Sequence, residues 1–276
     1  MGSTAISQQK PPPRLGGENP YLWPMLESLP YFRALLRAVE ADFYRHFKLS
    51  PPVLDLGCGD GHFASLVFQQ AIEVGLDPSA HSLREAKQWG AYRALVQSLG
   101  AHTPFPDGYF ASAFSNSVLE HIADLQAVLN ETARVLKKNA LFLFCVPNHR
   151  WQDHLSFSGA LRRGGMHRLA RAYTAFFTRI SRHVNMLSPE EWKQRLEKAG
   201  FVVEVWWHYF PPSALHALEW GHYLGLPSLI TRKFFGRWLL VPSRWNVAVT
   251  EYFLRAQAEL GEHPEGTYSW YVARRR

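Results

Sequence analysis

Cysteine is scarce in this chain. The 276 residues hold two, Cys58 inside a glycine-rich stretch and Cys145 inside an apolar run. Two thiols at that spacing make neither a disulfide framework nor a zinc site, and both are expected to be reduced and buried. His149, Asp153 and His154 match no standard ligand spacing, so no metal is expected. Long apolar runs are missing too, since none reaches the roughly 18 residues that a membrane-crossing helix needs. Met1–Lys10 is polar, which argues against a secretory signal, and Ile6 stands where N-myristoylation needs Ser or Thr. A cytoplasmic location is the expectation. Acid is also in short supply, with 30 Lys and Arg against 23 Asp and Glu and a net charge of +7. That excess permits an anionic partner, either nucleic acid or an anionic membrane. Beyond short runs such as Arg162-Arg163 and Arg274-Arg275-Arg276 the basic residues are scattered, which argues against nucleic acid.

What is present is apolar residue enough for a large core, 47% of the chain, and an aromatic content of 14% that includes ten Trp. The most informative stretch is Val53-Leu54-Asp55-Leu56-Gly57-Cys58-Gly59-Asp60-Gly61-His62-Phe63. A short apolar run ends in an acid, and glycine then recurs at every second position. The pattern predicts a buried strand that stops at Asp55 and turns into a helix at about His62. Glycine lets the main chain take positive φ and lets a ligand approach it closely. The dinucleotide fingerprint Gly-x-Gly-x-x-Gly would place its third glycine at His62, so that reading is the weaker one. A second strand, Ile72–Asp77, again ends in an acid, about 20 residues beyond the first, where nucleotide folds place a ribose-binding carboxylate. A helix over Ala80–Trp89 and short strands at Ala94–Val96 and Ala140–Val146 continue the alternation. Alternating strands and helices predict a doubly wound α/β fold with helices on both faces of a mostly parallel sheet.

Three further motifs follow in order. They are Thr103-Pro104-Phe105-Pro106-Asp107-Gly108-Tyr109-Phe110, then Leu119-Glu120-His121-Ile122, then Arg134-Val135-Leu136-Lys137-Lys138-Asn139. With the acid–glycine loop, this set resembles the class I S-adenosylmethionine-dependent methyltransferases that act on small molecules. The resemblance is strong over residues 50–147 and looser over 188–210 and 267–274. It implies a seven-stranded Rossmann-like sheet with helical insertions as a lid, and S-adenosylmethionine as cofactor. The implied cofactor contacts are Asp55, Gly57, Cys58, Gly59, Gly61, Asp77 and Pro78, with Asn116 and Ser117 after the fourth strand. The family's adenine-binding Asp is missing, and Ser98 or Leu99 takes its place. Phe110-Ala111 stands for the usual Phe-Asp, and Lys138-Asn139 for a glycine pair, where Asn tolerates the left-handed conformation.

The chain is expected to divide into a flexible arm over 1–20, a helical cap over 21–48 and the methyltransferase unit over 49–276. Within the last, 148–187 and 211–266 are longer than simple connections need and read as insertions that build a lid and an acceptor pocket. Between them, Ser188, Pro189 and Glu191 mark a helix start that Gly200 closes. Phe201–Phe210 and the antiparallel Thr267–Ala273 complete the sheet. The second insertion mixes Trp220, Phe234, Phe235, Trp238, Trp245, Tyr252 and Phe253 with Arg232, Lys233, Arg237 and Arg244. Three readings fit it: the core of a helical subdomain, a pocket for a hydrophobic acceptor, or a surface for peripheral contact with an anionic membrane. Methyl transfer to a hydroxyl or amine also needs a base, and histidine titrates near neutrality. His183, ahead of the Ser188 helix, leads the candidates, followed by His149 at the end of the fifth strand and His121 in the Leu-Glu-His-Ile motif. The expected activity is methyl transfer to a small, apolar or aromatic acceptor. A binding module without catalysis, and a nucleic-acid methyltransferase, are the alternatives.

Overall fold

The computed structural model describes residues 18–235, 238–239, 241, 243–259 and 261–276. Most of the arm expected over 1–20, and Arg237 of the second insertion, lie outside the described residues.

Five parallel strands form the body of one sheet: β1 (Val53–Leu56), β2 (Ile72–Asp77), β3 (Tyr92–Gln97), β4 (Phe110–Asn116) and β5 (Leu136–Pro147). β6 (Phe201–Tyr209) and β7 (Tyr268–Arg275) complete it. The order is β3-β2-β1-β4-β5-β7-β6, with β7 antiparallel to both neighbours. This is the doubly wound α/β fold. All four residues of β1 are buried, as expected of a central parallel strand covered on both faces. The chain winds outward from β1 to β3, then returns to place β4 on the other side of β1. The carboxyl ends of β1 and β4 therefore diverge and leave a crevice at this reversal.

The helices confirm most local signals. α3 (His62–Val67) follows the glycine loop, and α4 (Ala80–Trp89) keeps the expected bounds. α5 (Leu125–Val135) ends at the Arg-Val-Leu-Lys motif, and Asn139 takes the anticipated left-handed turn at φ +63°. The expected 21–48 cap is two helices, α1 (Leu22–Ser28) and α2 (Tyr31–Tyr44). Pro30 breaks them, because the residue before proline is driven to extended backbone, here Leu29 at ψ 153°. The first insertion folds as α6 (Ser156–Arg163) and α7 (His167–Ile180). α8 (Pro189–Lys198) carries the full capping box of Ser188 and Glu191. The second insertion is α9 (Pro212–Leu224), α10 (Leu226–Phe235) and α11 (Arg244–Ala258).

Two apolar clusters flank the sheet. One holds residues of α5 and α8, among them Leu129, Trp192 and Leu196. The other joins α1, α2, α9 and α11 to the opposite face, with Phe43 edge-on to Trp207, Tyr209 and Trp270. The first insertion reaches this second cluster through Phe177, which stacks on Trp151 at 5.5 Å and meets His222 of α9 edge-on. Buried Glu219 of α9 pins the two insertions together, accepting hydrogen bonds from the Ser156 amide (2.6 Å) and the Tyr173 hydroxyl (2.7 Å). The amino-terminal helices and both insertions thus pack as one helical layer.

Candidate functional site

A cavity of about 450 Å³ opens above the carboxyl ends of β1, β2 and β4. Its floor is the glycine loop, where Gly57, Gly59 and Gly61 all have positive φ. A Cβ at Gly57 would lie 2.5 Å from Val118, and one at Gly61 would lie 2.9 Å from Ala86 of α4. Those two glycines permit close packing of the protein on itself. Gly59 differs, because nothing lies within 4 Å of where its Cβ would be. The bare main chain there faces open cavity, which suits a ligand. The Asp77 carboxylate stands over the same loop. Its Oδ2 accepts from the Gly59 amide at 3.0 Å and its Oδ1 from the Ser79 amide at 2.8 Å. An acid fixed beside a glycine loop at the end of β2 matches what a ribose requires. Asp55 is buried and accepts from the Tyr92 hydroxyl at 2.7 Å; burial pushes its carboxyl up to about 7. Tyr92 carries no motif signal, and only the β2–β3 pairing brings it there.

The opposite wall comes from α2, which presents Arg33 and Arg37 one turn apart. Arg37 donates to the Asn116 carbonyl at 3.1 Å and lies 3.5 Å from Glu40. Glu40 is fully buried and accepts from Asn116 Nδ2 (2.7 Å), Ser117 Oγ (2.8 Å) and the Tyr209 hydroxyl (3.0 Å). Asn116 and Ser117 therefore line the cavity while their side chains are committed to Glu40. The sequence signal for this network is faint: a few charged residues interrupt the apolar positions of α2.

Of the three candidate bases, only His121 lines the cavity. Its Nδ1 faces the Arg182 carbonyl at 2.9 Å, so Nδ1 carries the proton and donates, which leaves the Nε2 lone pair free. Nε2 lies 3.7 Å from buried Glu120. Burial, more than the nearby arginines, lowers the His121 pKa, and burial raises the Glu120 carboxyl to about 8. His183, the first of the expected bases, is placed elsewhere. Its ring sits behind His121 at 5.6 Å, edge-on to Trp151, and outside the cavity lining, and burial pulls its pKa down to about 3. His149 is exposed beside His208, 6.2 Å between rings, and does not face the cavity. It sits next to β6 because β7 and β6, not the lid, continue the sheet beyond β5.

Other expected positions also lie apart. Pro78 is not in the lining. Ser98 turns its hydroxyl into its own loop, donating to the His102 carbonyl at 2.6 Å, and Leu99 is exposed. Cys58 is at the cavity floor as a free thiol. The first insertion contributes nothing to the lining, contrary to expectation, because α6 and α7 pack outward on α9 rather than over the strand ends. The second contributes Arg232 to this cavity, and Arg232, Trp238 and Leu239 to an adjoining one of about 360 Å³. Among the described residues no group of three His, Cys, Asp or Glu is placed to hold a metal, and no helix is long and apolar enough to cross a membrane.

Comparison with known proteins bears on this geometry. A family model described as a methyltransferase domain matches residues 25–205. The malonyl-[acyl-carrier protein] O-methyltransferase of Legionella pneumophila is 33% identical over 107 residues, 36% of this chain and 38% of the relative. The trans-aconitate 2-methyltransferase of Azoarcus is 28% identical over 166 residues, 55% of this chain and 65% of the relative. The chain thus spans less than two thirds of either relative's length. Among solved structures, a SAM-dependent methyltransferase of Thermotoga maritima, a possible histamine N-methyltransferase, superposes with a TM-score of 0.55. That match has 16% identity and covers 89% of this chain and 92% of the other, so it speaks for the fold.

Proposed function

The chain belongs to the methyltransferase-domain family, and on that premise we propose that it is an S-adenosylmethionine-dependent enzyme whose cleft above β1, β2 and β4 methylates a small acceptor with an apolar body. The observation that best supports this reading is the open main chain at Gly59 beside the Asp77 carboxylate, on the same cavity as His121. S-adenosylmethionine supplies an electrophilic methyl group on a sulfonium. The chain's own part is to hold, align and deprotonate. In this reading Asp77 accepts from the ribose hydroxyls, and the main chain of Gly57, Cys58, Gly59 and Gly61 closes on the cofactor. Asp55, Asn116 and Ser117 bound the same space. Pro78, Ser98 and Leu99 have no part in it. Holding the acceptor in line with the methyl–sulfur bond removes much of the barrier. For a hydroxyl or amine acceptor, the free Nε2 of His121 takes the proton.

The acceptor, in the same reading, comes from a bilayer. α10 and α11 turn large apolar groups to solvent, with Phe234 72% and Trp245 77% exposed and Phe235, Tyr252 and Phe253 exposed beside them. Lys233 lies in the same stretch, and the chain carries +7 overall, which complements an anionic surface. Single apolar residues on a surface are ordinary, whereas several large exposed aromatics on two neighbouring stretches of chain, with the Tyr252 and Phe253 rings 5.6 Å apart, favour a contact site. The deciding experiment has two arms. Calorimetry should show S-adenosylhomocysteine binding in preference to NAD. Cell extracts with labelled S-adenosylmethionine should then yield a labelled lipid-soluble product. Tighter binding of NAD would remove the cofactor assignment, and a water-soluble product would remove the apolar acceptor.

A further inference from the structure

Arg33 is the one arginine of the cavity wall whose charge is left unmatched among the described residues. Arg37 has Glu40 at 3.5 Å and the Asn116 carbonyl at 3.1 Å. Arg232 has Glu85 of α4 at 3.5 Å. Among the described residues the Arg33 guanidinium makes no hydrogen bond and no ion pair, and it lies over the indole of Trp238, 5.8 Å from the ring centre. Arg232 lies on the same indole at 4.5 Å. Two like charges are thus gathered on one aromatic ring. Desolvation, then repulsion by Arg37 and Arg232, lowers the Arg33 pKa to about 10, with Asp60 opposing. The place is a junction. Arg33 lines the cofactor cavity, Trp238 the adjoining one, and Arg232, Asp60, Glu85 and His62 belong to both. Arg33 is half-buried, and a guanidinium that gives up part of its hydration without an ion-pair partner is stabilised by an anion that completes it.

Building on the methyltransferase reading, we propose that Arg33 and Arg232 on Trp238 form an anion subsite at the junction of the two cavities, which binds a carboxylate or phosphate of the bound ligands. A planar guanidinium donates two parallel hydrogen bonds to either group. The acids at this junction are already engaged or opposed: Glu85 by Arg232, and Asp60 through Oδ1 by the His62 amide at 3.2 Å. Two ligands bring such a group. One is the amino-acid carboxylate of the cofactor. The other is an acidic group on the acceptor, which would then enter with an anionic end at the junction and its apolar body in the adjoining cavity.

The test uses the full chain and three variants, Arg33→Gln, Arg232→Gln and Arg33→Lys, with thermal melting as a folding control. Calorimetry compares S-adenosylhomocysteine with 5′-methylthioadenosine, which lacks the amino-acid carboxylate. If the cofactor supplies the anion, Arg33→Gln weakens S-adenosylhomocysteine by about tenfold or more. Methylthioadenosine is then unchanged and Arg33→Lys restores part of the loss. If the acceptor supplies it, both nucleosides bind all variants alike. Inorganic phosphate then binds the wild type with S-adenosylhomocysteine already present, and Arg33→Gln and Arg232→Gln abolish that binding. Folded Gln variants that match the wild type for both nucleosides and for phosphate overturn the proposal. Failure of S-adenosylhomocysteine to bind the wild type would instead strike the methyltransferase reading, and the phosphate arm would still decide the subsite.

Discussion

The hydroxyl of Tyr209 on β6 donates to the carboxylate of Glu40 on α2 at 3.0 Å, across 169 positions of sequence. Glu40 also takes hydrogen bonds from Asn116 and Ser117 at the end of β4. One buried carboxylate thus ties the amino-terminal helix to two strands and holds the far wall of the cavity above β1, β2 and β4 in place. Glu40→Ala would leave four polar partners, Arg37 among them, without their acceptor. The expected loss is roughly 3–5 kcal/mol. Urea unfolding measures it, and a change within about 0.5 kcal/mol would show that the network is replaced by water.

Asp77→Ala should weaken S-adenosylhomocysteine by roughly 1.5–3 kcal/mol, the worth of a hydrogen bond to a charged group. Gly59→Ala should weaken it as well, since a methyl group would enter the open space at φ +55°, and should cost the fold only about 1–2 kcal/mol for a left-handed alanine. Gly61→Ala should instead unfold the loop, because its methyl group would meet the backbone of Ala86 at 2.9 Å. Calorimetry paired with thermal melting separates the three.

His121→Ala should lower kcat by about 10²–10⁴-fold with cofactor affinity intact, while His149→Ala stays near the wild type. The His121 pKa is lowered from 6.5. In the proposed role the neutral imidazole is the active form, so the acid limb of the rate should lie below pH 6.5 and the rate should be level above it. A flat profile from pH 5 to 9 would mean alignment alone.

Asp55 offers a stability measurement. Burial raises its carboxyl from 3.8 to about 7, so the folded state holds a proton that the unfolded state releases between those values. Its contribution is complete below pH 3.8 and is lost as pH rises through about 7. Asp55→Asn removes this dependence. The difference in unfolding free energy between wild type and variant should change by up to about 1.4 kcal/mol per pH unit across that window. A constant difference would place the Asp55 pKa near its ordinary value.

Sedimentation with vesicles tests the aromatic face of α10 and α11. Binding should rise with anionic lipid and fall with salt. Phe234→Ser with Trp245→Ser should reduce it without shifting the melting temperature, because both side chains are exposed. Binding that is equal for wild type and double variant would assign this face to another partner.

The sequence by itself determined the glycine loop, the acids closing β1 and β2, the α4 bounds and the Ser188 capping box. Each depends on backbone conformation or hydrogen bonds within a few residues, which residue type controls directly. It also carried the order of strands and helices, and with it the crevice beside β1. Only the tertiary structure decided which histidine reaches the cavity, for the His121 and His183 rings lie 5.6 Å apart, His121 in the lining and His183 behind it against Trp151. The same holds for Tyr92 on Asp55, for Glu40 among Asn116, Ser117 and Tyr209, and for Arg33 beside Arg232. Partners 37 to 199 positions apart are joined by packing of whole elements, and no local spacing rule encodes that distance.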